Sequence, residues 1–118
     1  MSANEINSMS ESCERAGVQL VEAFVFLFHD QTLKLRQILD SGTIGDITVS
    51  PAYMNFRIAR PSENTRLNPK LGGGGLLDGA VYPITFTRFV FGEEPIAVQG
   101  SCHIDPEYGV DTRVCAVL

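Results

Sequence analysis

The hydrophobic pattern of this chain predicts helices and strands in alternation. Residues 4–16 carry apolar side chains at helical spacing on a polar background, and Gly17 follows as a helix stop. Residues 18–28 (VQLVEAFVFLF) are almost continuously apolar, which is typical of a strand covered on both faces. Residues 31–41 carry a second helical stripe, and Asp30 is its predicted N-cap.

The second half of the chain continues this alternation. Residues 45–58 alternate apolar and polar side chains with one shift of phase, which predicts a long strand with a bend or bulge. Residues 59–70 are polar, contain two prolines and are predicted to form a loop. After a run of glycines, residues 76–91 are rich in large apolar side chains and predict a helix. Two further strands are predicted near 96–104 and 112–118. The pattern indicates an α/β (α+β) fold.

Length and composition narrow the class of protein. The 118 residues suit one domain or part of a larger protein, and 44% hydrophobic with 19% charged residues is typical of a globular chain. A formal net charge of −5 argues against a nucleic-acid surface, which requires a basic stripe. The most apolar run is interrupted by Glu22 and is too short to span a bilayer, so we expect no membrane partner.

The cysteines and histidines indicate neither a disulfide framework nor a metal site. Cys13, Cys102 and Cys115 are odd in number and form no Cys-x-x-Cys pair, which favours reduced thiols and a cytoplasmic protein. We expect each to be a small buried hydrophobic residue. Only two histidines accompany them, so no metal-ligand cluster is predicted.

Candidate chemistry lies within residues 71–92, which read LGGGGLLDGAVYPITFTRFVFG. Asp78 and Tyr82 are four residues apart, so on a helix the carboxylate and the phenol share one face, just after a glycine loop that leaves the approach open. The run is followed by neither a Walker Gly-Lys-Ser/Thr nor a Gly-x-Gly-x-x-Gly dinucleotide fingerprint. The alternative is purely structural: a flexible loop, then a buried helix that Asp78 caps and Pro83 kinks.

His29 also has two interpretations at this point. It follows the predicted strand of residues 18–28, where a side chain could contact a ligand. It also precedes the second predicted helix, where a histidine can serve simply to begin the helix.

The segment LNPKLGGGGLLDGAVYPITFTRFVFGEEP resembles the signature of the Gfo/Idh/MocA oxidoreductases. The resemblance extends upstream through CERAGVQLVEAFVFLFHDQTLKLRQILDSGTIGDI and downstream to the GVD of Gly109 to Asp111. The loop NTRLNPKLGGG is similar to that of the dihydrodiol and xylose dehydrogenase-like members. The resemblance therefore covers nearly the whole chain.

The resemblance implies a two-domain enzyme that uses NAD or NADP. A Rossmann domain binds the cofactor, and a second domain carries a mostly antiparallel sheet flanked by helices. By this likeness residues 1–25 are the last helix and strand of the nucleotide-binding domain, and residues 26–118 are part of the substrate and oligomerisation domain. The family's Glu-Lys-Pro motif, with its catalytic lysine, is expected just upstream of Met1. We therefore expect the chain alone to be inactive.

The resemblance also implies roles for individual residues. Tyr82 matches the family's catalytic Tyr/His position, and Asp78 matches the acid one turn earlier. Because a phenol ordinarily ionises at about pH 10, acid–base work near neutral pH needs a nearby cation. Arg66 and His29 are the candidates for the substrate side.

The intact enzyme would transfer hydride between a nicotinamide and a carbinol carbon of a sugar, cyclitol or diol. We expect a homo-oligomer formed through the sheet. The alternative is a non-enzymatic interaction or dimerisation module derived from such an enzyme.

Overall fold

The computed structural model describes residues 2–60 and 63–118. The described chain contains helices α1 (Ala3–Ala16), α2 (Asp30–Asp40) and α3 (Val81–Phe91), and strands β1 (Gln99–Ile104) and β2 (Asp111–Val117). Single turns of 3-10 helix lie at Val25–Phe28, Thr65–Leu67 and Pro69–Leu71, and a π-helical turn lies at Leu76–Ala80. The fold is mixed α/β, as predicted. The chain forms two compact units, Met1–Leu33 and Lys34–Leu118.

Helix α1 confirms the prediction made for residues 4–16. The side chain of Ser2 accepts a hydrogen bond from the backbone N–H of Glu5, which is a typical N-cap. Gly17 ends the helix with φ 66°, a left-handed conformation that glycine adopts without steric cost.

The predicted strand at residues 18–28 is wrong. The chain turns at Ala23, whose carbonyl accepts from Val25 N–H at 2.9 Å, and then forms the 3-10 turn Val25–Phe28. No described strand pairs with this segment. A strand needs a neighbour for its backbone hydrogen bonds, and an apolar pattern does not supply one.

Helix α2 confirms the second predicted helix, with one correction at its start. The helix begins at Asp30, so the prediction that Asp30 is the cap is wrong by one residue. The His29 carbonyl accepts from the N–H groups of Thr32 and Leu33, at 2.9 and 3.2 Å, which places His29 at the cap position. Asp30 is instead the acid of the first turn, where the helix dipole favours a negative charge.

The predicted long strand at residues 45–58 is also wrong. No part of this segment is helical, but none of it pairs with a described strand. Pro51 lies in its middle and has no N–H to donate to a ladder. Residues 48–58 instead line a concave surface of the second unit, and four of them also line a smaller depression.

Strands β1 and β2 confirm the two strands predicted last. They pair antiparallel from Gln99↔Val117 to Ile104↔Asp111, with an irregularity in register between His103 and Ile104. Asp105 organises the turn between them. Its Oδ1 accepts from the N–H groups of Glu107 and Tyr108, at 3.0 and 3.2 Å. This is the Asx-type turn that aspartate favours.

The core of the second unit is small. Among the described residues, the buried apolar side chains are Leu67, Val90 and Val110. Arg36 of α2 donates from Nη1 to the Phe89 carbonyl at 2.7 Å, near the C-terminus of α3. A cation there satisfies an end carbonyl and complements the helix dipole. This hydrogen bond joins the C-terminal end of α3 to α2. The N-terminal end of α3 carries Tyr82, which lines the candidate site.

Candidate functional site

Two asparagines shape the loop that carries Arg66. The Asn64 Oδ1 accepts from Arg66 N–H, and the Asn68 Oδ1 accepts from Lys70 N–H, both at 3.0 Å. Each bond begins one 3-10 turn. Leu67, only 7% exposed, anchors the loop between the two turns, while the neighbouring Arg66 side chain stays 48% exposed. The loop therefore has a defined shape that presents Arg66 outward.

The glycine run packs tightly, contrary to the expectation of a flexible loop. Gly73 N–H donates to Asn68 O at 3.0 Å, and Gly74 N–H donates to Arg66 O at 2.9 Å. A Cβ on Gly73 would lie 2.7 Å from the Arg66 carbonyl oxygen. Gly74 is buried and has φ 123°. Glycine is needed here because backbones approach closely and one φ is positive.

Asp78 pairs with Arg66 across this loop. Its Oδ2 accepts from Arg66 Nε at 2.6 Å. The structural alternative, in which Asp78 caps the helix, is wrong, because α3 begins after Ala80 with no side-chain cap. Pro83 is the third residue of α3, and the regular α-helix begins only at Val81, after the π-helical turn Leu76–Ala80.

Three of the candidate side chains, Arg66, Asp78 and Tyr82, line one depression of about 470 Å³. Its polar lining consists of Arg57, Asn64, Arg66, Asp78 and Tyr82. Its apolar wall includes Phe56, whose ring lies 6.0 Å from the Arg66 guanidinium carbon. Three predicted site residues thus share one surface, and Tyr82 is half-buried there.

The depression combines the functional groups that small polar ligands require. Tyr82 offers a phenol that donates or accepts a proton, and Asp78 offers a carboxylate that accepts from hydroxyl groups. Asn64 both donates and accepts, while Arg57 and Arg66 add positive charge to the same depression. The arrangement suits binding of a polyol and transfer of a proton.

His29 lies in the first unit. Its Nδ1 accepts from Gln31 N–H at 3.2 Å, at the start of α2. The local geometry is that of a histidine that begins a helix, and a ligand role for it stays a prediction.

A second concave surface in the same unit, about 950 Å³, lies among residues 48–58, the inner side of α3 and β2. Many of its lining residues are apolar, among them Val49, Pro83, Ile84, Val114 and Leu118. It shares Arg57, Arg66 and Asp78 with the depression and also includes Asp111, but Tyr82 lines only the depression.

The structure bears on the metal and cysteine predictions within residues 2–60 and 63–118. No group of three or more His, Cys, Asp or Glu side chains is placed there to hold a metal ion. The three cysteines are free. Cys102 and Cys115 are exposed and Cys13 is half-buried, so the prediction of buried cysteines is wrong. None of the described helices has the length and apolar character required to cross a membrane.

Sequence reasoning missed Arg57, Asn64 and Asp111. Arg57 belongs to the segment predicted as a strand, and Asn64 to a loop read only as polar. Asp111, whose Oδ2 accepts from Leu76 N–H at 2.6 Å, comes 35 residues after its partner. Of these three residues, only the role of Asn64 could have been predicted from the sequence. An asparagine side chain commonly accepts from the backbone N–H two residues later and so forms a turn, as Asn64 does with Arg66.

Comparison with known proteins places the chain in a family. The family model described as the GFO/IDH/MocA C-terminal domain matches residues 32–118. A D-xylose 1-dehydrogenase (NADP(+)) of Haloferax volcanii is 32% identical over 99% of this chain and 35% of its own length. The mouse trans-1,2-dihydrobenzene-1,2-diol dehydrogenase is 35% identical over 100% of this chain and 35% of its own length.

A third relative is the dTDP-3,4-didehydro-2,6-dideoxy-α-D-glucose 3-reductase of Streptomyces violaceoruber, 34% identical over 86% of this chain and 30% of its own length. The chain thus spans about a third of the length of the curated relatives it matches. No solved structure matches it. From the extent of the domain match and these identities, the chain belongs to the GFO/IDH/MocA family.

Proposed function

We propose that this chain is the substrate-side part of an NAD(P)-dependent oxidoreductase. The observation that carries the proposal is the depression in which Tyr82, Asp78 and Arg66 come together, in a chain of this family. The names of the relatives support it, since they are dehydrogenases or reductases of a sugar, a diol and a nucleotide-linked sugar. The substrate would be a sugar, cyclitol or diol with a reactive carbinol carbon.

The glycine run does not fit the phosphates of a dinucleotide. The backbone of Gly74 and Gly75 faces the Asp111 carboxylate, which would repel a pyrophosphate. We therefore assign the nucleotide to a Rossmann domain that precedes this chain in the intact enzyme. In this proposal residues 1–25 end that domain and residues 26–118 belong to the substrate domain.

The bound cofactor would supply the hydride acceptor or donor, and the residues of this chain would handle the proton. Tyr82 Oη takes the proton of the substrate hydroxyl during oxidation and returns it during reduction. Asp78 accepts from a neighbouring hydroxyl or orients the tyrosine, and Arg66 holds Asp78 in place through their ion pair. Arg57 and Arg66 line the same depression, and the family's lysine in the preceding domain would supply the cation that acid–base work by a phenol requires.

Tyr82→Phe tests the role of the phenol, because it removes the hydroxyl and keeps the ring. We propose a fusion protein that places a nucleotide-binding domain of this family ahead of the chain. Turnover of polyol substrates should fall roughly 10²–10⁴-fold in the variant. The free energy of unfolding should change by no more than about 1 kcal/mol. Tyr53→Phe is the matched control, since Tyr53 is 86% exposed and does not line the depression.

The isolated chain provides a second test. We expect no reduction of NAD⁺ or NADP⁺ when the chain is mixed with sugar, cyclitol and diol substrates, and no oxidation of NADH or NADPH when it is mixed with their carbonyl forms; nicotinamide absorbance measures both. Turnover by the isolated chain would show that the cofactor site is wrongly assigned. Retained turnover in the Tyr82→Phe fusion would refute the proton-transfer role.

Exposed apolar side chains favour a second candidate function, an interaction or dimerisation module. Val98 and Ile104 lie at or beside β1 and Val117 lies in β2, and each is more than half exposed. Such a surface suits pairing with a second copy through the sheet. A chain that self-associates, and whose fusion protein shows no nicotinamide-dependent turnover, would favour this candidate over the enzyme.

A further inference from the structure

Asp111 directs its carboxylate at the glycine run. Its Oδ2 accepts from Leu76 N–H at 2.6 Å. A Cβ on Gly74 would lie 2.2 Å from its Oδ1, and one on Gly75 would lie 3.3 Å from its Oδ2. The carboxylate therefore occupies the space that two glycines leave free. The described residues that line the depression around Tyr82 do not include Asp111.

The hydrogen bond from Leu76 lies at the junction between two parts of the candidate site. Leu76 is the first residue of the π-helical turn that contains Asp78 and leads into α3 with Tyr82. Two residues before it, Gly74 donates to the Arg66 carbonyl at 2.9 Å. A displacement at this junction would move Asp78 relative to Arg66.

Backbone pairing and a buried neighbouring side chain fix the start of β2, where Asp111 lies. Asp111 pairs with Ile104 in the β1–β2 ladder, and the preceding Val110 is only 3% exposed. An ionised acceptor also makes a stronger hydrogen bond to a backbone N–H than a neutral one does. The Asp111 carboxylate, fixed on the paired strand β2, can therefore hold the glycine run, which has no side chains with which to make contacts.

We propose that Asp111 is a positioning residue that holds the start of the Asp78–Tyr82 helical segment against β2. It fixes the glycine run so that Asp78 meets Arg66 and Tyr82 lines the depression. The structural part of this proposal depends on the geometry alone. Its consequence for catalysis rests on the proposed function.

Nuclear magnetic resonance of the whole chain tests the structural part with three variants. In Asp111→Ala, hydrogen exchange of the Leu76 amide should accelerate about tenfold or more, the effect of losing one hydrogen bond of ordinary strength. The Arg66 Nε–H resonance, which reports the pair with Asp78, should shift in the same variant. Asp111→Asn keeps an acceptor oxygen and should restore most of both signals. Asp46→Ala, at an exposed aspartate, is the matched control and should change neither.

Two results would overturn the proposal. An unchanged Leu76 amide in Asp111→Ala would show that the carboxylate does not hold the glycine run. A changed Leu76 amide with an unchanged Arg66 Nε–H resonance would show that the contact is local and positions nothing. If Asp111→Ala does not fold, Asp111→Asn decides alone: because a neutral oxygen is a weaker acceptor than a carboxylate, the Leu76 amide should exchange faster than in the native chain and the Arg66 Nε–H resonance should shift, and signals identical to the native ones would refute the proposal.

The fusion protein described above tests the catalytic consequence separately. Asp111→Ala should lower kcat by about 10²-fold, the cost of misplacing a reacting group by about 1 Å, with a smaller change in the KM for the nicotinamide. Asp111→Asn should recover most of that loss. If the unsubstituted fusion has no turnover, the proposed function fails, while the resonance measurements still judge the role of Asp111.

Discussion

Gly74→Ala is expected to destabilise the chain, because a Cβ at this position would meet the Asp111 side chain and the backbone has a positive φ. The new Cβ would lie 2.2 Å from Asp111 Oδ1, closer than any van der Waals contact allows. Asp111 has little freedom to withdraw, because its Oδ2 is bonded to Leu76 N–H. Gly74 also has φ 123°, which an alanine adopts only under strain.

These two contributions set the expected magnitude. Backbone strain costs about 1–3 kcal/mol, and overpacking adds a further contribution of about 1–3 kcal/mol. We therefore expect Gly74→Ala to lower the free energy of unfolding by about 2–6 kcal/mol. Gly42→Ala is the matched control, since Gly42 has φ 67° and no atom lies within 4 Å of the position that a Cβ would take there. Only about 1–2 kcal/mol of strain is expected in that variant.

The measurement is urea unfolding followed by circular dichroism, with the double variant Gly74→Ala/Asp111→Ala included. Removing the carboxylate removes the contact, so the double variant should be less destabilised than the sum of the single variants, by about 0.5–3 kcal/mol. Equal losses in Gly74→Ala and Gly42→Ala, or strict additivity in the double variant, would refute the claim that Gly74 is required by its packing against Asp111.

Three further predictions concern the surface and the charged pairs. The hydrogen bond from Arg60 lowers the pKa of the Asp105 carboxyl, so its stabilising effect is complete above the ordinary aspartate pKa and disappears as the pH falls through the lowered value. Asp105→Asn should therefore reduce stability to urea at pH 7, and the reduction should become smaller as the pH falls below the ordinary aspartate pKa; a reduction independent of pH would contradict this. A double-mutant cycle on Arg66 and Asp78 should give a coupling of about 0.2–1 kcal/mol, since the two side chains are 48% and 28% exposed; a coupling unchanged in high salt would argue against a screened pair. The chain should bind a hydrophobic dye and self-associate in sedimentation, because Val25, Tyr53 and Ile96 are among its many exposed apolar side chains; a monomer without dye binding at high concentration would contradict this.

The helices were predictable because their signals are local. The stripe of α1, its stop at Gly17 and the apolar residues of α3 all act over a few residues, and a helix satisfies its own backbone hydrogen bonds. The β1–β2 pair was equally accessible, since only a short turn separates the two strands and Asp105 forms that turn with its own neighbours. Asp78 and Tyr82 line the same depression, in agreement with the shared face that their spacing predicted.

Strand pairing and the contacts between residues distant in the sequence were decided by the tertiary structure. Residues 18–28 and 45–58 have the side chains of strands, yet within the described chain no neighbouring strand accepts their backbone bonds. The contact between Arg66 and Asp78 crosses 12 residues, and that between Asp111 and Leu76 crosses 35. The sequence by itself determined which residues could do chemistry. Only the folded chain showed that Asp78 accepts from Arg66 and that Asp111 accepts from Leu76, because each contact joins residues far apart in the sequence.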